Sequence, residues 1–344
     1  VADARYPVEI TTSDGVRLKL EVPDGSSVVE AAAADGLILP SQCGQGTCGT
    51  CHATARGAYR LGPHSPAALP PEQEAIGGVL LCRTYPLGSV DVQVGYARSR
   101  IIEGGIAQRE GTVISVAPVA RDTVWLRLQL APDDAAGAGV EFEPGQFMEL
   151  QLPGDERRRA YSLANTANWD GEVEFLVRLH PGGYFSEFLR RARPGDPVVA
   201  HGPLGAFGLR ESGMRPRWFV AGGTGLAPVM SMLRRMAEWG EPQPARLFLG
   251  VTEPVDRPEL SALEELSAQL PRFELDVCAW RPDDAWTGPV GTPADLLAKA
   301  LAAGGSAPDV YVCGPPALVD AVQRVGREAG LPEEQVVTER LLPT

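Results

Sequence analysis

Apolar and polar residues alternate over positions 8–12 and again over 16–22, with Asp14-Gly15 between the two runs. Such alternation around an Asp-Gly pair predicts a β-hairpin with one buried face. Residues 27–34 predict a short helix, and 89–94 alternates again as a closing strand. From Gly111 to Leu130 strand patterns dominate, and Pro144-Gly145 turns the chain into another strand that runs to Leu150. Strands at such intervals predict a small antiparallel β-barrel. After Pro216 the period changes. Apolar runs at 217–221, 245–251, 273–279 and 310–313 alternate with helical patterns at 227–239, 258–269, 293–302 and 317–329. That order predicts an α/β, doubly wound parallel sheet. The charged, glycine-bearing stretch 98–105 fits neither pattern and reads as a linker.

Composition narrows the function. The 344 residues are 44% hydrophobic, enough for two or three cored domains, and carry a formal charge of -13, which offers no field for nucleic acid or anionic lipid. The first 25 residues hold Asp3, Glu9, Asp14 and Glu21 and no apolar leader, and no run of 18 apolar residues occurs. A cytoplasmic protein with no nucleic-acid or membrane partner is expected.

Four of the six cysteines are patterned: Cys43, Cys48 and Cys51 in C-x4-C-x2-C spacing, then Cys82 thirty-one positions on. This is the spacing of plant-type 2Fe-2S ferredoxins. Gly44, Gly46 and Gly49 between them let the backbone curl and aim N–H groups at sulfur. A structural four-cysteine zinc site is the alternative, although such sites favour two short knuckles. With the flanking strands, the first module reads as β-grasp-like. Cys278, inside an apolar strand, is expected in the core, and the four histidines follow no ligand spacing.

Four further segments carry chemistry. Arg159-Ala160-Tyr161-Ser162 offers a cation, a flat ring and a hydroxyl together, and Gly182-Gly183-Tyr184-Phe185-Ser186 opens a helix whose free N–H groups suit a pyrophosphate. Together they suggest a flavin dinucleotide site. Gly222-Gly223-Thr224-Gly225 ends the first strand of the parallel sheet and leads into a helix, where a second nucleotide's phosphates would bind. Cys313-Gly314-Pro315-Pro316 places a thiol and a turn at another carboxyl strand end, although a lone Cys there also serves as a small core residue.

The stretches LLCRTYP (80–86), FEPGQFM (142–148), GPLGAFGL (202–209), FVAGGTGLAPVMSM (219–232) and CGPP resemble the ferredoxin-FAD-NAD reductases of multicomponent oxygenases. Within that family they are most like the reductase components of soluble methane monooxygenases and related diiron monooxygenases. The resemblance implies a multidomain chain: a β-grasp 2Fe-2S ferredoxin domain (α+β) over 1–97, the linker 98–105, an FAD-binding antiparallel β-barrel over 106–213, and an NAD-binding α/β domain over 214–344. It implies electron flow from NADH to FAD to the cluster and on to a separate diiron hydroxylase component, with the reductase a monomer. A Rieske aromatic-ring dioxygenase of the benzoate type as partner, or a stand-alone NADH:acceptor oxidoreductase, are the alternatives.

The resemblance also implies residue roles. Arg159 would hold the FAD phosphate, Tyr161 would stack on the isoalloxazine, Ser162 would bond near its N5, and Gly182, Gly183 and Ser186 would hold the pyrophosphate. Gly222, Gly223, Thr224 and Gly225 would bind the NADH phosphates, with Cys313 and Gly314 at the nicotinamide. Cys43, Cys48, Cys51 and Cys82 would ligate the cluster. Two departures stand out: Leu341 occupies the place of a flavin-covering Phe, and Leu260-Ser261-Ala262 stands where relatives carry Leu-Phe-Tyr beside the adenosine. Acidic Glu253, Asp256 and Glu259 would accept ribose hydroxyls and repel a 2'-phosphate, which favours NADH. Nowhere does the chain contain Glu-x-x-His or a Cys-x-His pair, so oxygen chemistry is assigned to the partner. The first 94 residues carry 10 acidic against 6 basic side chains, and a basic docking patch on the partner is expected.

Overall fold

The computed structural model describes residues 4–133, 137–210, 213–258, 261–270 and 272–341. The chain divides into two compact units, one running to Ile106 and including Leu204–Ala206, the other comprising Ala107–Pro203 and Phe207 onward.

In the first unit β1 (Arg5–Thr11) and β2 (Arg17–Pro23) form the expected hairpin, with Val8, Ile10, Leu20 and Val22 buried on one face. Helix α1 (Val28–Ala34) starts at Ser27, whose hydroxyl accepts the Glu30 N–H while the Glu30 carboxylate accepts the Ser27 N–H at 2.8 Å. This reciprocal cap satisfies two donors that a helix start leaves free. There follow β3 (Leu37–Ile38), β4 (His52–Leu61), α2 (Pro71–Ala75), β5 (Gly78–Leu80), β6 (Thr84–Val94) and β7 (Ile102–Glu103). The main sheet has the order β2-β1-β6-β4-β5 with β1 and β6 parallel, and α1 packs on it as a β-grasp requires.

Strand β4 lacks a readable pattern because, of its ten residues, only Ala53 and Ala55 are buried, with Tyr59 and Leu61 half-buried further on. The stretch 98–105 is ordered by specific bonds. The Arg98 N–H donates to the Asp14 carboxylate at 3.1 Å, β7 pairs with β3, and the Gly104 N–H reaches the Gly36 carbonyl at 3.0 Å. All these partners belong to the first unit.

The second unit begins with β8 (Gln108–Ala120), β9 (Thr123–Leu130), β10 (Phe147–Gln151), β11 (Arg158–Ser162), β12 (Glu172–Arg178), α3 (Tyr184–Leu189) and β13 (Pro197–Leu204). Its six-stranded sheet has the order β11-β10-β13-β8-β9-β12. The edges β11 and β12 are not paired along their lengths; just past β11, Leu163 bridges Phe175 and the Ala164 N–H donates to the Glu174 carbonyl at 2.8 Å, so the ladder expected to close a barrel stays open. Helix α3 is six residues long.

Next come β14 (Arg217–Gly222), α4 (Leu226–Glu238), β15 (Ala245–Val251), α5 (Ser261–Gln269), β16 (Phe273–Ala279), α6 (Pro293–Ala302), β17 (Asp309–Gly314), α7 (Pro316–Glu328) and β18 (Val336–Arg340). The all-parallel order β16-β15-β14-β17-β18 reverses direction at β14, which puts the ligand crevice at its carboxyl end. Nine of the thirteen residues of α4 are buried, and each fully buried Leu or Met contributes about 2 kcal/mol to anchoring that helix. Arg234 of α4 donates to the Ala164 carbonyl at 3.1 Å and pairs with Glu174 at 2.7 Å, joining the parallel sheet to the antiparallel one. Among the described residues no helix is long and apolar enough to cross a membrane.

Candidate functional site

The cysteine loop is built to present sulfur. Cys48, Cys51 and Cys82 are buried and Cys43 is half-buried. The sulfurs associate two and two: Cys43 with Cys48, and Cys51 with Cys82. The Cys48 thiol and backbone donors hold Cys43 down at about 4, while the same shared bond and burial push Cys48 up. The N–H groups of Gln45 and Thr47 point at the Cys43 sulfur at 3.4 and 3.3 Å, and the Gly46 N–H at that of Cys82. Gly46, at φ +72°, has no room for a side chain, since a Cβ would lie 2.8 Å from Arg83 Cγ and 2.9 Å from His64 Cβ.

Among the described residues, no three Cys, His, Asp or Glu side chains gather tightly enough to hold a single metal ion. A two-iron cluster instead takes two thiolates on each iron, and backbone donors to sulfur stabilise its charge. The two-and-two pairing fits that group.

The flavin segments are brought together by their aromatic residues. Tyr161, on β11, lies with its ring centre 5.4 Å from that of Phe185 in α3 and 6.5 Å from that of Phe175, and burial pushes its hydroxyl up. Gly183 caps α3, and the Ser186 hydroxyl accepts the His180 N–H at 2.9 Å, which ties down the loop containing Gly182. Arg159 donates to the Arg158 carbonyl at 2.8 Å.

A cavity of about 540 Å³ opens along the carboxyl ends of the parallel sheet. Gly222, Gly223, Thr224 and Leu341 line it; Gly225, Glu253, Cys313 and Gly314 do not. Gly225 lies behind the wall. A Cβ there would come 2.1 Å from the Cys313 carbonyl oxygen, so glycine lets the start of α4 approach β17.

Cys313 is fully buried, yet more than a packing residue. Its thiol donates to Glu339 Oε2 at 3.6 Å, and the Ser162 hydroxyl reaches the same oxygen at 3.5 Å. Burial raises the Glu339 carboxyl to about 7 against the partial relief of these two donors, and burial together with Glu339 pushes the Cys313 thiol up. One carboxylate thus links the Ser162 end of the flavin segment to the strand end beside the cavity. Cys278 is a core residue as expected.

Glu253, expected at a ribose, carries ion pairs to two arginines. Arg121 reaches its Oε2 at 2.7 Å and forks onto Asp256 at 2.9 and 3.0 Å, and Arg281 approaches Glu253 at 3.3 Å. Asp256 lines the cavity. Glu259 and Leu260 lie outside the described residues.

The sequence reading gives no role to four residues of this site. Glu339 is readable as an acidic residue two positions before Leu341, but its bonds to Ser162 and Cys313 show only in the structure. Arg178 and His180 line the cavity because β12 delivers them there, and Trp280 because it follows β16; only the fold reveals either.

Residues 11–87 match the family described as 2Fe-2S iron-sulfur cluster binding domain, 110–208 the oxidoreductase FAD-binding domain, and 219–324 the oxidoreductase NAD-binding domain. The chain is 36% identical over 329 residues to the toluate 1,2-dioxygenase electron transfer component of Pseudomonas putida, covering 95% of both chains. It is 36% identical over 299 residues to methane monooxygenase component C of Methylosinus trichosporium, covering 86% of this chain and 87% of that one. The crystal structure of the Amycolatopsis cytochrome P450 reductase GcoB superposes with a TM-score of 0.72 at 30% identity, covering 98% and 99% of the two chains. With three cofactor modules in one order and relatives matched nearly end to end, the chain belongs to the family of NADH-dependent iron-sulfur flavoprotein reductases that act as electron-transfer components of multicomponent oxygenases.

Proposed function

We propose that this chain takes electron pairs from NADH and delivers single electrons to a separate carboxylate-bridged diiron hydroxylase, working as a cytoplasmic monomer. When bound, FAD exchanges electrons in pairs or singly and the 2Fe-2S cluster singly, which is the conversion such a relay needs. The residues supply binding, orientation and a fixed electrostatic setting.

Cys43 and Cys48 would hold one iron, Cys51 and Cys82 the other. Arg159 would pair with an FAD phosphate, while Gly182, Gly183 and Ser186 would receive the pyrophosphate. Tyr161 would turn its ring to the flavin and Ser162 its hydroxyl to the flavin edge. Gly222, Gly223 and Thr224 would bind the NADH phosphates at the start of α4, where free backbone N–H groups favour an anion. Gly225, Cys313 and Gly314 would back the wall against which the nicotinamide rests, with Leu341 lining it. Glu339 would keep the Ser162 and Cys313 side chains turned toward one another. Burial raises this carboxyl above the usual carboxylate range, so it would hold a proton more readily beside the Ser162 hydroxyl.

The single observation that carries the reading is the Glu339 oxygen shared by Ser162 and Cys313, because it couples the flavin segment to the nucleotide cavity. The diiron partner rests on the likeness to methane monooxygenase component C and on the stretches LLCRTYP and FVAGGTGLAPVMSM. The toluate dioxygenase relative supports a second reading, with a Rieske oxygenase as partner. The test is coupled turnover: with NADH and oxygen, this reductase should drive product formation by a purified diiron hydroxylase and not by a Rieske dioxygenase. The opposite preference would reverse the choice.

A further inference from the structure

We propose that the indole of Trp280 is the surface on which the adenine of NADH stacks. The inference rests on the NADH reading above and deepens it. Trp280 directly follows β16 and is 63% exposed, although it lines the cavity. A large apolar ring left open to water inside a ligand cleft is poised for a flat partner. No Phe or Tyr ring lines the cavity among the described residues, so the indole is the large aromatic face on offer.

Its position along the sheet selects which part of the dinucleotide it meets. Gly222 to Thr224 lie at the end of the middle strand β14. On one side are β17 and β18, with Cys313 and Leu341, where the nicotinamide is placed; on the other are β15 and then β16, which carries Trp280. A dinucleotide whose pyrophosphate sits at β14 with its nicotinamide toward β17 must extend its adenosine toward β16. Trp280 is also held in place. Its N–H donates to the Val251 carbonyl at 3.0 Å, and that of Arg281 to the Thr252 carbonyl at 2.8 Å. The acceptors are the last residue of β15 and the one after it, so the ring is presented from fixed backbone and little order is lost on stacking.

The experiment uses the full-length, cofactor-loaded protein with ferricyanide as acceptor, comparing NADH with reduced nicotinamide mononucleotide, which lacks the adenosine. W280A is expected to raise KM for NADH about tenfold at unchanged kcat, and W280F to stay within about threefold of the parent. With reduced nicotinamide mononucleotide, the two variants and the parent should give the same kcat/KM. An unchanged KM for NADH in W280A, or an equal loss with both donors, would overturn the proposal. If the parent oxidises neither donor, the NADH reading itself fails, and that outcome is distinct from a Trp280 effect.

Discussion

The Cys313 thiol donates to a Glu339 carboxylate oxygen at 3.6 Å, and both side chains are buried. A carboxylate in such a place resists losing its proton, because burial removes the water that would solvate the charge. Its pKa near 7 therefore makes stability depend on pH. Between about 4.5 and 7 the folded chain keeps a proton that the unfolded chain has released, so stability falls as pH rises through that window, on the order of 3 kcal/mol in all. We predict that E339Q removes this slope. Thermal midpoints of parent and variant should diverge in the variant's favour from pH 5 to pH 7.5; parallel curves would contradict the assignment.

Gly225 and Gly223 separate two reasons for glycine. A Cβ at Gly225 would strike the Cys313 carbonyl at 2.1 Å, whereas Gly223 has open space but a φ of +56°. G225A is expected to destabilise the second unit by about 3 kcal/mol, since backbone must move to admit the methyl group. G223A should cost only about 1 kcal/mol of conformational strain. Urea midpoints followed by intrinsic fluorescence would check the order, and equal losses would show that the approach of α4 to β17 is not tight.

Much of this was open to a reading of residues alone. The cysteine spacing pointed to the cluster because ligand geometry leaves few alternatives, and the Asp14-Gly15 hairpin and the strand-helix alternation after Pro216 followed from periodicity. The pattern is silent where burial is carried by small residues, as at Ala53 and Ala55 in β4, and where order comes from single bonds, as at Arg98 with Asp14. Glu339 and Trp280 were hidden for a different reason. Each becomes informative only when distant strands bring it beside the cavity or a thiol, just as Arg121, the partner of Glu253, lies 132 positions away from it.

Arg121 sets the charge at the rim of the cavity through its bonds to Glu253 and Asp256. In R121A both carboxylates lose this partner, and a 2'-phosphate would meet a more negative rim. The kcat/KM for NADPH is expected to fall about fivefold at low ionic strength and to recover in high salt, while that for NADH changes by less than about twofold. A salt-independent loss with both donors would place Arg121 in a structural role instead.

The central claim is that one chain joins NADH, flavin and cluster into a relay, and an anaerobic visible titration tests it most directly. Iron, sulfide and flavin analysis should give two irons, two sulfides and one FAD per chain. Stepwise NADH should then bleach the flavin and diminish the cluster absorbance in the parent, whereas in C82S only the flavin should respond. Zinc in place of iron, or a parent spectrum that NADH leaves unchanged, would contradict the account.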